Sequence, residues 1–173
     1  YEGNDSITGG GAWDNTHGNQ GNDTVHGGDG DDWVIGGKDQ DQLYGGPGAD
    51  IVYGNLGDDI VYGGLGADGV LGGQGDDFVY GQEGNDTVSG DRGDDQVWGG
   101  SGADLFLGFS GSFRDRIQDF NYAEGDRVQL QGVSTYSAVQ QGADVVISYG
   151  AGDQMVLAGV NLASLPSGWI ATV

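Results

Sequence analysis

An aspartate recurs every nine residues, without a slip, along the first part of this chain: Asp5, Asp14, Asp23, Asp32, Asp41, Asp50, Asp59, Asp68, Asp77, Asp86, Asp95 and Asp104. A second series is locked to it, with glycine at every ninth residue from Gly9 to Gly108. Two residues after each aspartate stands an apolar side chain: Ile7, Val25, Val34, Leu43, Val52, Val61, Val70, Val79, Val88, Val97 and Phe106. Thr16 is the one departure. Glycine makes up about 7% of ordinary sequences, so composition alone does not produce this register. A fixed short period dictates architecture before any other feature does. A nine-residue unit buries almost nothing by itself, so it must stack on copies of itself.

Residues 45–53 (Gly-Gly-Pro-Gly-Ala-Asp-Ile-Val-Tyr) show the unit, and residues 72–80 repeat it as Gly-Gly-Gln-Gly-Asp-Asp-Phe-Val-Tyr. The consensus is G-G-x-G-x-D-x-U-x, with U a bulky apolar residue. Glycines at the first, second and fourth positions permit positive φ and close backbone approach, so the first six residues predict a loop. The three that follow, such as Ile51-Val52-Tyr53, predict a very short strand. Alternation along that strand turns U inward and its neighbours outward.

This consensus resembles the nonapeptide of the RTX (repeats-in-toxin) family of secreted bacterial proteins. The resemblance covers residues 1–108 with high specificity and 109–173 more weakly. It implies an all-β fold, a parallel β-roll (β-solenoid) in which two nonapeptides make one turn, followed by a small β-rich C-terminal cap. A period of 18 then sorts the aspartates into two columns, one on each edge. Asp5, Asp23, Asp41, Asp59, Asp77 and Asp95 form the first; Asp14, Asp32, Asp50, Asp68, Asp86 and Asp104 form the second. In the family each calcium ion sits between vertically adjacent loops and takes aspartate carboxylates and loop carbonyl oxygens. Calcium wants about 6–8 oxygens, more than one loop supplies. The loop glycines implied as carbonyl donors are Gly21, Gly28, Gly30, Gly46, Gly48, Gly57, Gly64, Gly66, Gly73, Gly75, Gly84, Gly93, Gly100 and Gly102. Twelve loops, each joined to the second one along, give ten intervals, so roughly 8–10 calcium ions are expected. Asx-turns would explain aspartate in such loops equally well. They do not explain why asparagine never replaces it at the twelve positions while Asn4, Asn22 and Asn85 stand one residue earlier.

Charge points the same way. The 173 residues carry 27 acidic and 5 basic side chains, a formal charge of −22. Of these, residues 1–108 hold 21 acidic against Lys38 and Arg92, a net of −19, and residues 109–173 hold 6 against Arg114, Arg116 and Arg127, a net of −3. Such a polyanion repels nucleic acid and calls for cations. Without them, low hydrophobicity and high charge predict disorder. Cysteine is absent, so no disulfide holds the chain, and a secreted protein then needs another cross-link. No apolar run approaches the ~20 residues of a membrane-spanning helix. No signal peptide is visible at the N-terminus. The sequence opens at Tyr1 in mid-repeat, as a piece of a longer protein would.

The array is weakest at its start. Gly9-Gly10-Gly11-Ala12-Trp13-Asp14-Asn15-Thr16-His17 has Ala12 where glycine is expected and Thr16 at the core position, and Asp39 takes a glycine position in residues 36–41. Asx residues tolerate positive φ better than most, so that loop is expected to survive. Other motif matches are incidental. Residues 64–69 fit G-x-G-x-x-G, but no helix can follow. Three sequons, at Asn4, Asn22 and Asn85, lie inside the repeat grammar. His17 and His26 read as inert surface residues. On the outward faces, His26, Tyr44, Tyr62, Tyr80 and Trp98 recur at spacing 18 and predict a ladder on one sheet. Trp33, Ile35, Ile51, Tyr53, Leu71, Leu105 and Leu107 fall on the other. Stacked rings pack on each other, and an exposed apolar stripe also marks interfaces.

The period stops after Gly108. Residues 115–120 and 125–130 look like the segment that follows the last repeat in many RTX proteins. Residues 143–149 and 154–157 read as strands joined by a hairpin turn at 150–153. Residues 162–165 read as a helical turn before Pro166. A cap is expected here, because an open solenoid end exposes unpaired backbone and core. The resemblance also implies an uncleaved C-terminal secretion signal, which Trp169–Val173 would join. Its functional implication is a non-catalytic, calcium-dependent folding and export module of a secreted or cell-surface bacterial protein. The implied partners are calcium ions, type I secretion machinery and a covalent cargo domain N-terminal to Tyr1. A surface or adhesive module using the aromatic ladder is the alternative. No nucleophile–base pair for catalysis can be assembled from the residues present.

Overall fold

The computed structural model describes residues 2–173; Tyr1, where the sequence opens in mid-repeat, lies outside them. Each nonapeptide yields one strand. The array runs β1 (Ser6–Gly10), β2 (Asn15–Gln20), β3 (Thr24–Gly28), β4 (Trp33–Lys38), β5 (Gln42–Pro47) and β6 (Ile51–Leu56). It continues through β7 (Ile60–Leu65), β8 (Gly69–Gln74), β9 (Phe78–Glu83), β10 (Thr87–Arg92), β11 (Gln96–Ser101) and β12 (Leu105–Phe109). Odd-numbered strands form one parallel sheet and even-numbered strands the other. Every pairing joins residues 18 apart, as in Val25 with Leu43, Tyr62 with Tyr80 and Val34 with Val52. Two nonapeptides therefore make one turn, as the family resemblance implies.

The strands are longer than the sequence suggests. Most have six residues rather than three, because pairing continues through the glycines that follow Tyr53 and its counterparts. Asn55 pairs with Gly73 and Leu56 with Gln74. Glycine is a poor strand former in isolation, but here the neighbouring turn supplies the ladder and the loop shrinks to the few residues before each aspartate.

Between the sheets lies a file of single side chains. Val25, Leu43, Val61, Val79 and Val97 come from one sheet and Val34, Val52, Val70, Val88 and Phe106 from the other, all at most 1% exposed. This one-residue-wide core leaves much of the stabilisation to the backbone ladder and to whatever fills the edges.

After Gly108 both sheets go on. β13 (Arg114–Ile117) joins β11 with Val97 opposite Ile117, and β14 (Arg127–Gln131) joins β12 with Phe106 opposite Val128. An antiparallel meander, β15 (Tyr136–Gln141), β16 (Asp144–Tyr149) and β17 (Asp153–Leu157), extends the first sheet through β17 beside β13. A 3-10 turn at Leu162–Ser164 precedes β18 (Ile170–Thr172), which pairs with β14 and ends the second sheet. The core widens here. Phe120 packs against Phe106 and Trp169 at ring separations of 6.0 and 6.2 Å, beside buried Leu130, Ile147, Met155 and Leu157.

Candidate metal centres

The loops joining the two sheets carry the aspartates, so each column runs along one edge of the roll. Within a column the backbone N–H of each aspartate donates to Oδ1 of the aspartate 18 residues on, as from Asp5 to Asp23 and Asp50 to Asp68. Ten such bonds measure 2.7–2.9 Å. From Asp23 to Asp104 every one of these residues is at most 3% exposed. Its second oxygen, Oδ2, is buried with no hydrogen-bond partner. Asp5 and Asp14, at the head of the columns, are only half-buried.

From Gly18 to Gly99 the first glycine of each unit sits against that unpaired oxygen. A Cβ on Gly63 would lie 2.7 Å from Asp68 Oδ2 and 2.7 Å from the Gly81 carbonyl oxygen. No side chain fits there, and at Gly108 the Tyr149 hydroxyl, 2.8 Å from where a Cβ would lie, takes the place of the column oxygen. The second and fourth positions are constrained differently, by positive φ. All fourteen glycines expected to offer carbonyls have φ between 101° and 150°, and Gly37, outside that expectation, shares it at 127°. Asn19, Asn55, Gln82 and Asp91 hold φ of 75–84° at the second position, and Asp39 holds 77° at the fourth. The loop therefore keeps its shape where glycine is lost.

Ten carboxylates in two buried files each keep one oxygen without a partner. Burial pushes Asp77 up to about 8, Asp41 and Asp68 to about 7, and Asp59 and Asp104 to about 6, although a backbone N–H pulls each part of the way back. Asp50 and Asp86 are raised by the same cause. Among the described residues no three His, Cys, Asp or Glu side chains converge. Any ion held here must draw on two carboxylates at most and complete its shell with carbonyl oxygens. An all-oxygen donor set suits calcium and not the softer transition metals. The orphaned Oδ2 atoms and the side-chain-free space beside them fit such an ion.

A second set of bonds runs the opposite way on the outside of the loops. Asp31, Asp58, Asp76 and Asn85, each one residue before a column aspartate, accept the N–H of the residue 18 further on at 2.8–3.0 Å. The histidines stand apart from the columns. His26 stacks on Tyr44 at 4.6 Å, heading the expected ladder through Tyr62, Tyr80 and Trp98 at 4.5–5.0 Å. His17 is exposed on the other sheet.

Three acidic residues beyond the array belong to this system and escaped the sequence reading. Asp126 continues the second column: its Oδ1 accepts the Asp104 N–H at 3.0 Å and its Oδ2 the Asn121 N–H at 2.7 Å. Asp119 accepts the N–H groups of Gly99 and Gly100. Asp115 lies opposite Asp95 in register, 1% exposed. Burial, then the facing Asp95 carboxylate, push it up to about 10. A signal was present, since Asp115 and Asp126 are each followed two residues later by an apolar residue, Ile117 and Val128.

A two-sheet parallel roll with a column of buried aspartates on each edge is a calcium-binding repeat module. The model of the RTX calcium-binding nonapeptide repeat matches residues 1–25, 8–43, 17–52, 39–70 and 71–106. The chain belongs to that family, and its repeats are calcium-binding repeats. Among solved structures it is similar to the AlgE6R3 subunit of the Azotobacter vinelandii mannuronan C5-epimerase, at 26% identity and a TM-score of 0.50 over 78% of each chain. It is also similar to the extracellular lipase LipA of Serratia marcescens, at 20% identity and a TM-score of 0.45, covering 99% of this chain and 38% of the lipase. A third likeness is to the AlgE6R2 subunit of the same epimerase, at 19% identity and a TM-score of 0.44, covering 96% of this chain and 91% of that one. The comparison with curated proteins finds no match. No helix among the described residues is long and apolar enough to cross a membrane.

Proposed function

We propose that residues 1–108 are a calcium-switched folding module, capped by residues 109–173, within a larger secreted bacterial protein. The observation that carries this reading is the set of ten buried, unpaired Oδ2 atoms in a chain of net charge −22. Without cations those carboxylates oppose the roll. With calcium the twelve column aspartates and the loop carbonyls supply hard oxygen ligands, and binding free energy becomes folding free energy because no site exists in the unfolded chain. Calcium is scarce in the cytosol, so the chain stays extended for passage through type I secretion machinery and folds outside. The cargo lies N-terminal to Tyr1. The similarity to a subunit of an epimerase supports a module that serves a larger protein. The adhesive alternative draws less support: the rings from His26 to Trp98 spend their faces on each other, at 8–15° between planes, and offer mainly edges to a ligand.

The test is circular dichroism and small-angle scattering of the chain in chelator, in millimolar calcium and in millimolar magnesium. Calcium is expected to convert an expanded coil to compact β structure. Magnesium is expected to fail, because it demands near-octahedral geometry and dehydrates reluctantly. Equal compactness in all three conditions would remove the switch.

A further inference from the structure

The first aspartate column meets a loop that is not a nonapeptide. Gly108 to Asp115 has eight residues where Gly90 to Asp95 has six, and register with the array resumes at an offset of 20. The extra length hides a conserved geometry. Gly93 bridges to Phe113 in parallel, so Phe113 occupies the fourth loop position and Gly111 the second. Both have positive φ, 65° at Phe113 and 96° at Gly111, matching Gly93 at 148° and Asp91 at 75° one turn earlier. A phenylalanine is held in the left-handed region, where a bulky side chain is uncommon, to keep the loop's shape. Asp115 then takes the sixth position, where every array loop has its aspartate.

Its environment separates it from Asp126 at the end of the other column. Asp126 has both oxygens bonded to backbone N–H groups and acts as a hydrogen-bonded stop. Asp115 is 1% exposed, and neither Oδ1 nor Oδ2 has a hydrogen-bond partner. Asp95 opposite it contributes its own unpaired Oδ2. No basic side chain relieves the pair. Arg114 and Arg116 flank Asp115 on the strand and alternate to the other face; Arg114 is exposed, and Arg116 is engaged with Asp144 at 3.0 Å. Below the loop, Asp153 accepts the N–H groups of Gly111 and Phe113. It stands in for the missing next turn, while the Phe113 carbonyl accepts the Gln154 N–H at 2.7 Å and the Phe109 carbonyl the Ser112 N–H at 3.2 Å.

We propose that Asp95 and Asp115 hold a further calcium ion between the last nonapeptide loop and loop 108–115, a site that the repeats alone do not provide. This rests on the reading that the array itself binds calcium. The ion ties the array to the cap through two carboxylates from opposite sides of the junction.

The test uses the full chain. Calcium content after equilibrium dialysis, read by atomic emission, is expected to fall by one ion per chain in Asp115→Asn. An unchanged count in a folded Asp115→Asn overturns the site. A second measurement needs no variant. Crystals loaded with terbium are expected to show an anomalous peak within ligand distance of both Asp95 and Asp115. Loaded columns with nothing between these two residues overturn this site alone. Empty columns throughout overturn the calcium reading and this site with it.

Discussion

Position along a column should govern how much each aspartate matters, and Asp68 and Asp5 make the sharpest comparison. Asp68 lies between Asp50 and Asp86. Its carboxylate accepts the Asp50 N–H at 2.8 Å, and its Oδ2 is buried and unpaired. Truncation to alanine removes a carboxylate from the intervals above and below it and strands the Asp50 N–H. An unpaired buried N–H costs about 1–3 kcal/mol. A site lost at a free calcium concentration a hundredfold above its dissociation constant costs about 2.7 kcal/mol. Two such sites and the stranded N–H together come to about 6–8 kcal/mol, comparable with the whole stability of an ordinary domain. Asp5→Ala disturbs one interval, about 2.7 kcal/mol; the Asp5 N–H still reaches Asp23, and no column N–H depends on its side chain. The two variants therefore differ by about 4–6 kcal/mol. Spread over roughly ten ions taken up in one cooperative transition, this moves the calcium midpoint by about two- to threefold. Far-ultraviolet circular dichroism during calcium titration of both variants measures it. Equal midpoints, or a higher midpoint for Asp5→Ala, would refute the vertical pairing of sites.

Two further outcomes are expected. Column carboxyls raised to about 6–8, as at Asp59, Asp41 and Asp77, mean that the metal-free roll binds more protons than the unfolded chain between those values and the ordinary 3.8. Stability of the metal-free roll must then rise as pH falls through that window. In chelator, β structure should grow between about pH 8 and about pH 5, and a flat signal would contradict the burial of the columns. Truncation after Gly108 leaves β11 and β12 as open edges and uncovers Phe106, which packs on Phe120. The 1–108 fragment should need several times more calcium to fold than 1–173, as a titration of both would show; matching midpoints and steepness would make 109–173 a passenger.

The array was readable because its constraints are local and repeat. A Cβ has no room at Gly63 and its counterparts, an inward side chain fills the core at Val61 and its counterparts, and a side-chain oxygen accepts the N–H of the residue 18 before it at Asp59 and its counterparts. Each requirement falls on a fixed residue of the nine. Strand length was not readable, since pairing through Gly54 and Asn55 depends on the neighbouring turn and not on their own propensity. The end of the array was hidden by two extra residues before Asp115 and by the longer connection before Asp126. Nothing local marks Phe113 as the heir of a glycine position. The third element of the cap that sequence understated is the tail: Trp169 is 7% exposed in the core, and Ile170–Thr172 is a paired strand.

The hydrogen bonds within the columns have a direction. Every column aspartate from Asp23 to Asp104, and Asp126 after them, holds the N–H of the turn on its N-terminal side. A turn arriving at the N-terminal face of a partly built roll finds an acceptor already fixed in place for its own aspartate N–H. A turn arriving at the opposite face would have to bring that acceptor with it while still mobile. For the column bonds the two ends are therefore unequal as templates, while the outer bonds to Asp31, Asp58, Asp76 and Asn85 run the other way; in assembly that starts at the cap the column works as a ratchet: each added turn is caught by the one before it and sets the catch for the next, toward residue 5.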